Sequence, residues 1–236
     1  MDNNKNNSSL DGTVDYGYNF GNYSPEQLGV EETINAVFII DKSGSVFKYV
    51  DELNNAWNEF ITRMQKSHHA NKIMVSVIEF NHNVDVVHGF RPISELKPID
   101  MRPRIDGTTA LYNAVETGLK NALDYRKDLE NSGVNCKTLL FVITDGDDNQ
   151  SGGPPAAAKV KDLIQELLQE ERNFMSFESI LFGVGEEAKF EEAQQLMGIK
   201  HLAKVGTSAD DIRKMIGMIS QSITSASAGQ NISIQF

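Results

Sequence analysis

The chain has 236 residues, 40% hydrophobic and 23% charged, enough for one sizeable α/β domain with a core of its own. Its formal charge of −11 weighs against nucleic acid and anionic membrane surfaces as main partners and is compatible with cation binding. One cysteine, Cys136, excludes an internal disulfide framework, and no run reaches the roughly 18 apolar residues that a spanning helix needs.

Residues 1–30 are rich in Asn, Gly, Ser and Tyr and poor in aliphatics, and read as a flexible tail. Tyr16, Tyr18, Phe20 and Tyr23 are spaced so as to anchor on a partner or on the domain's own surface. The opening stretch MDNNKNNSSL has no apolar signal-peptide core, so a cytoplasmic setting is expected. The N-x-S triplets at Asn6 and Asn22 are then chance matches to the glycosylation pattern.

From residue 31 to 225 apolar runs alternate with helical patterns, which marks one domain. NAVFIID at 35–41 is a strand, and residues 47–66 carry Val50, Leu53, Trp57, Phe60, Ile61 and Met64 at helical spacing. KIMVSVIEF (72–80) and VDVVHGF (84–90), joined by Asn81-His82-Asn83, form a hairpin. A Pro-bearing loop covers 91–107, and a helix over 110–126 faces inward with Leu111, Val115, Leu119, Ala122 and Leu123. KTLLFVIT (137–144) is apolar throughout, the mark of a strand covered on both faces. A helix at 156–171, a strand at 176–185, a short helix through Phe190 to Met197 and a strand at 201–205 follow. Ser208, with Asp211 three residues on, caps a last helix over about 208–224. In the C-terminal tail, 226–236, Ile232, Ile234 and Phe236 alternate as one face of a strand that can add to a sheet edge.

This order implies a doubly wound α/β fold, a mostly parallel sheet with helices on both faces. Such sheets bind ligands at the carboxyl ends of their strands, where strand order reverses. Two buried strands end there in Asp: FIIDKSGS and FVITDGDDN. A third loop, DGTTALYNAV, brings Thr108 and Thr109 to a helix start. Asp41, Ser43, Ser45, one of the two Thr and Asp145 then meet at one rim. Oxygen donors without His or Cys suit a hard cation, and Mg²⁺ prefers six oxygens in an octahedron. Two carboxylates and three neutral hydroxyls leave such an ion electrophilic, with a position that favours an incoming carboxylate.

The pattern Asp41-Lys42-Ser43-Gly44-Ser45, Thr109 and Asp145 resembles the von Willebrand factor A domain family and its metal-ion-dependent adhesion site. Thr109 is chosen over Thr108 because family members often read Gly-Gly-Thr-x-Leu there. The resemblance covers about residues 34–224, FGVG at 182–185 included. It implies a six-stranded sheet of order 3-2-1-4-5-6 with one antiparallel edge strand. It also implies protein binding without catalysis, through Mg²⁺ or else Mn²⁺ or Ca²⁺, to a partner that presents Asp or Glu. In the family the two Ser contact the metal, and the Thr and two Asp bind directly or through water. A shift of the last helix accompanies ligand engagement in some members. Gly44, Thr108, Gly146, Asp147 and Asp148 would line the partner-binding rim. The second metal site of integrin-type members needs acidic residues after the second Ser, where Val46, Phe47 and Lys48 stand, so none is expected. Short loops, acidic tails and the absent disulfide look more like intracellular bacterial or phage members, tellurium-resistance-type proteins among them, than like animal matrix proteins.

Plainer readings compete. Asp41 and Ser43 suit a helix cap, but a cap does not account for Thr109 and Asp145. Asp147 and Asp148 suit a solvated loop, and NQSGGPPAAAK (149–159) suits a connector. His68 and His69 end a helix, and His82 and His88 lie on the hairpin without the partners zinc needs. Cys136 is read as structural. A phosphatase-like hydrolase would need Asp-x-Asp where Ser43 stands, and no P-loop or Gly-x-Ser-x-Gly elbow is present. The remaining alternative is a structural subunit that makes its contacts through its tails, self-association included, and whose metal only stabilises the rim.

Overall fold

A computed structural model of the chain describes residues 25, 28–169, 177–186, 188–230. The strands are β1 (Glu32–Asp41), β2 (Ile73–Phe80), β3 (Val84–Pro92), β4 (Asn135–Thr144), β5 (Phe177–Val184) and β6 (His201–Val205). The α-helices are α1 (Val50–Gln65), α2 (Leu111–Asn131), α3 (Pro154–Gln169), α4 (Phe190–Met197) and α5 (Ala209–Ser227). The sheet order is β3-β2-β1-β4-β5-β6, with β2/β3 antiparallel and every other pair parallel. This is the doubly wound α/β arrangement expected from the sequence.

Alternation along β1 decides what each face of the sheet packs against. Ile34, Ala36, Phe38 and Ile40 join one core with α1 and α5, whereas Val37 and Ile39 join another with α2, α3 and α4. Phe38 centres the first core, its ring 4.7 Å from Trp57 edge-on, 5.1 Å from Phe141 and 5.4 Å from Phe60. On the second face α2 sits close because Gly118 has no side chain; a Cβ there would lie 2.5 Å from Ile39 Cδ1. Among the described residues no helix is long and apolar enough to cross a membrane.

Several boundaries differ from the expected ones. The helix expected over 47–66 is a one-turn 3₁₀ helix (Gly44–Lys48) followed by α1, with Tyr49 between them at φ −137°. Tyr49 is buried and turned toward the sheet end, which redirects the chain. β3 continues to Pro92, a residue tolerated because it ends an edge strand. Two further 3₁₀ turns (Ile93–Glu95 and Arg102–Arg104) break the expected 91–107 loop. α2 runs to Asn131, five residues past the expected end, because Leu129 is buried and Tyr125 stacks on Phe90 at 4.5 Å. α5 is capped by Ser208, whose hydroxyl accepts from Asp211 N at 3.2 Å, and ends at Ser227. Tyr16, Tyr18, Phe20 and Tyr23, the two glycosylation-like triplets and the alternation of Ile232, Ile234 and Phe236 lie outside the described residues.

Candidate metal and partner-binding rim

β1 and β4 are neighbours, and the chain leaves them toward opposite sides of the sheet. Their carboxyl ends therefore form the crevice where a doubly wound sheet binds ligands. β1 delivers Asp41 and β4 delivers Thr144 and then Asp145. Asp41 is 1% exposed. One of its oxygens, Oδ1, accepts from Ser43 N at 2.7 Å and the other, Oδ2, from the Thr144 hydroxyl at 2.5 Å. The Ser45 hydroxyl donates to Asp145 Oδ1 at 2.6 Å and lies 3.2 Å from Ser43 Oγ. The buried Tyr49 hydroxyl also bonds Asp145. One continuous set of oxygens thus links the two carboxylates.

The third loop closes the rim. Thr109 is buried and Thr108 exposed. A Cβ added to Gly146 would lie 3.4 Å from Thr109 Oγ1, so that hydroxyl faces the Asp145 loop. Asn149 clamps Thr109 on both sides: its Oδ1 accepts from Thr109 N at 2.8 Å, and its N donates to Thr109 O at 3.0 Å. Thr108 points to Gln150 Oε1, 3.4 Å away. Gly44 N donates to Gly107 O at 3.1 Å and Asp106 N to Lys42 O at 3.0 Å, which ties the Asp-x-Ser-x-Ser turn to the same loop. Gly107 has φ +74° and packs directly on the His82 ring, so a side chain fits neither its backbone nor its space. Lys42 is buried and its ammonium reaches Asp85 at 2.5 Å, outside the rim.

The rim carboxylates Asp147 and Asp148 are already used within the chain. Asp147 Oδ1 accepts from Lys189 N at 2.7 Å. Asp148 accepts from Tyr112 N at 3.4 Å, in the first turn of α2, and from Ser151 N at 3.2 Å. His68 is exposed, and His82 and His88 lie in and after the β2–β3 turn as expected. Cys136 is a free thiol, pushed up to about 11 chiefly by burial.

The electrostatics follow from burial. Asp41 is raised from 3.8 to about 6, first by desolvation, with the Thr144 and Ser43 hydrogen bonds opposing and Asp145 adding. Asp145 is raised, again by burial first, against the Ser45 and Tyr49 hydrogen bonds and the Lys48 charge. Tyr49 is raised by burial and then by the fields of Asp145 and Asp41. Two partly desolvated carboxylates are therefore brought close together, with the Lys48 charge acting on Asp145. Among the described residues no three His, Cys, Asp or Glu side chains cluster as a metal site. The donors here are instead two carboxylates and three hydroxyls, an all-oxygen set that fits a hard divalent cation.

The von Willebrand factor type A domain pattern matches residues 35–227. The chain belongs to this family. Asp41, Ser43, Ser45, Thr109 and Asp145, the residues whose pattern resembles the adhesion site of the vWA family, all lie within that span. No curated protein sequence matches the chain. Solved structures share its fold. The pilus adhesin SpaC from Lactobacillus rhamnosus GG superposes with TM-score 0.63 at 14% identity, over 84% of this chain and 31% of that one. Proximal thread matrix protein 1 from the mussel byssus, in a form with a zinc-occupied MIDAS motif, gives 0.56 at 14% identity, over 82% of this chain and 48% of its own. The PilB minor pilin from Streptococcus sanguinis gives 0.55 at 13% identity, over 84% and 63%. The chain thus spans from about a third to under two thirds of these proteins' lengths, and at such identities the likeness is one of fold. None of the three is a tellurium-resistance-type protein.

Thr144, Tyr49 and Asn149 bond the candidate site residues and are not evident from the sequence. Thr144 and Tyr49 sit inside apolar or helical runs, where their hydroxyls read as ordinary strand and helix content. Asn149 opens a stretch that reads as a connector.

Proposed function

We propose that this vWA domain is a divalent-cation-dependent protein-binding module that captures an Asp or Glu side chain of a partner. The observation that supports this is the convergence of two buried carboxylates and three hydroxyls at the β1/β4 switch point. A divalent cation held there supplies a Lewis-acidic position for a carboxylate oxygen. Asp41 and Asp145 provide its negative charge, and Ser43, Ser45 and Thr109 provide neutral oxygens. Thr144 and Tyr49 orient the carboxylates from behind. Gly44 and Gly146 leave the approach free of side chains. Mg²⁺ is the expected ion, with Mn²⁺ and Ca²⁺ as alternatives, and the role is binding rather than catalysis. A cytoplasmic setting belongs to the same proposal, which cell fractionation tests.

The test is retention of a protein ligand on the immobilised chain. The proposal expects retention in Mg²⁺, release by EDTA, and loss after the ligand's carboxylates are amidated with carbodiimide. Retention indifferent to EDTA and to Asp145→Ala would point instead to a structural subunit that binds through other surfaces.

A further inference from the structure

Phe47 stands two residues after Ser45 and is 59% exposed, the most exposed large hydrophobic side chain among the described residues. It belongs to the one-turn 3₁₀ helix Gly44–Lys48, in which residues three apart share a face. Phe47 therefore lies on the Gly44 side of the rim, toward the 102–107 loop to which Gly44 is bonded, and away from Asp145. The Arg102 guanidinium sits over its ring, 5.5 Å from the centroid, and is itself paired with Asp51.

This ledge is held from below. Two asparagines of α1 fasten the backbone that carries Arg102. Asn54 Oδ1 accepts from Met101 N at 3.1 Å and its Nδ2 donates to Asp100 Oδ1 at 3.0 Å. Asn58 Oδ1 accepts from Ile99 N at 3.1 Å and its Nδ2 donates to Ile99 O at 3.4 Å. A phenyl group fixed in place by a stacked cation loses little freedom when a partner covers it, the character of a binding hot spot. The Arg102 charge is taken up by Asp51, with Asp100 and Glu52 close by, so what the ledge offers is apolar surface beside the rim. It complements an apolar side chain that neighbours a metal-bound carboxylate.

We infer that Phe47 and Arg102 form a specificity ledge beside the metal rim, which selects partner segments whose metal-bound Asp or Glu is flanked by an apolar side chain. The inference rests on the carboxylate-capture reading above and narrows its partner class.

The test uses the full chain with saturating Mg²⁺ and blocked tetrapeptides followed by NMR titration. In one pair of peptides a central Asp is preceded or followed by Leu; in the other pair the Leu is replaced by Ser. At least one Leu peptide should bind wild type about fivefold more tightly than its Ser counterpart, as partial burial of one leucine allows. Phe47→Ser should abolish that preference, and a wild-type-like thermal midpoint would show that the variant is folded. Equal binding of Leu and Ser peptides, or a preference that survives Phe47→Ser, overturns the ledge and leaves carboxylate capture standing. No Mg²⁺-dependent binding of any of the four peptides overturns both.

Discussion

At the residue scale the decisive contact is between side chains 103 positions apart: the Thr144 hydroxyl on Asp41 Oδ2. It fixes the carboxylate's direction and opposes the desolvation that pushes Asp41 up to about 6. Thr144→Val keeps the shape of the buried side chain and removes the donor. It should weaken Mg²⁺ binding by about tenfold or more, the usual cost of losing an outer-shell hydrogen bond, and calorimetry measures it. Tyr49→Phe should act in the same direction through Asp145, with the fold retained. The contrast between the legible and the hidden residues has a physical cause. Asp41, Ser43 and Ser45 are local, and Asp145 interrupts an apolar run where a buried strand has no need of charge. Thr144 and Tyr49 satisfy the periodicity of the elements they end or begin, so only the pairing of β1 beside β4 and the turn that follows β1 bring their hydroxyls to the two carboxylates. Thr108 and Thr109 are adjacent and chemically alike. Spacing within the family pattern favours Thr109, and the fold buries Thr109 against Gly146 while leaving Thr108 exposed.

At the element scale the helices are positioned by absences as much as by contacts. Gly118 lets α2 approach β1, and a Cβ there meets Ile39 at 2.5 Å and Val37 at 3.3 Å. Gly118→Ala should cost about 1–3 kcal/mol, seen as a lower midpoint in urea, because a packed core resists added volume. Ser208→Ala should cost about 1 kcal/mol by freeing the Asp211 N–H at the start of α5. That cap was legible, since Ser-x-x-Asp before an apolar period is a local signal. Helix starts hidden in longer patterns were not. Residues 47–66 keep a helical period throughout, yet Tyr49 breaks the helix because its hydroxyl is drawn to Asp145 and its ring to the core. α2 outran its expected end for the converse reason: the Phe90–Tyr125 stack comes from β3, and nothing near Tyr125 in sequence announces it.

At the scale of the whole molecule, the parallel sheet covered on both faces was legible, because alternating strands and helices leave few ways to wind a sheet, whereas the strand order came with the family resemblance and is the one observed. The same architecture couples stability to the rim. Asp41 binds its proton more tightly in the folded state, at about 6 against an ordinary 3.8. The stability it contributes is therefore complete below about pH 3.8 and is lost as pH rises through about 6. The raised Asp145 acts in the same direction. Cations compete with those protons, so the gain in thermal midpoint caused by Mg²⁺ should be small near pH 5 and grow through pH 6 to 7. Melting curves with and without Mg²⁺ across that range measure it. A gain independent of pH would place the ion away from Asp41. The most direct measurement is titration calorimetry of EDTA-stripped protein with Mg²⁺, wild type beside Asp41→Ala, with circular dichroism confirming that both are folded. The account expects one ion bound by wild type and none by the folded variant. A folded Asp41→Ala protein that binds Mg²⁺ as wild type does, or a wild type that binds none, would contradict it.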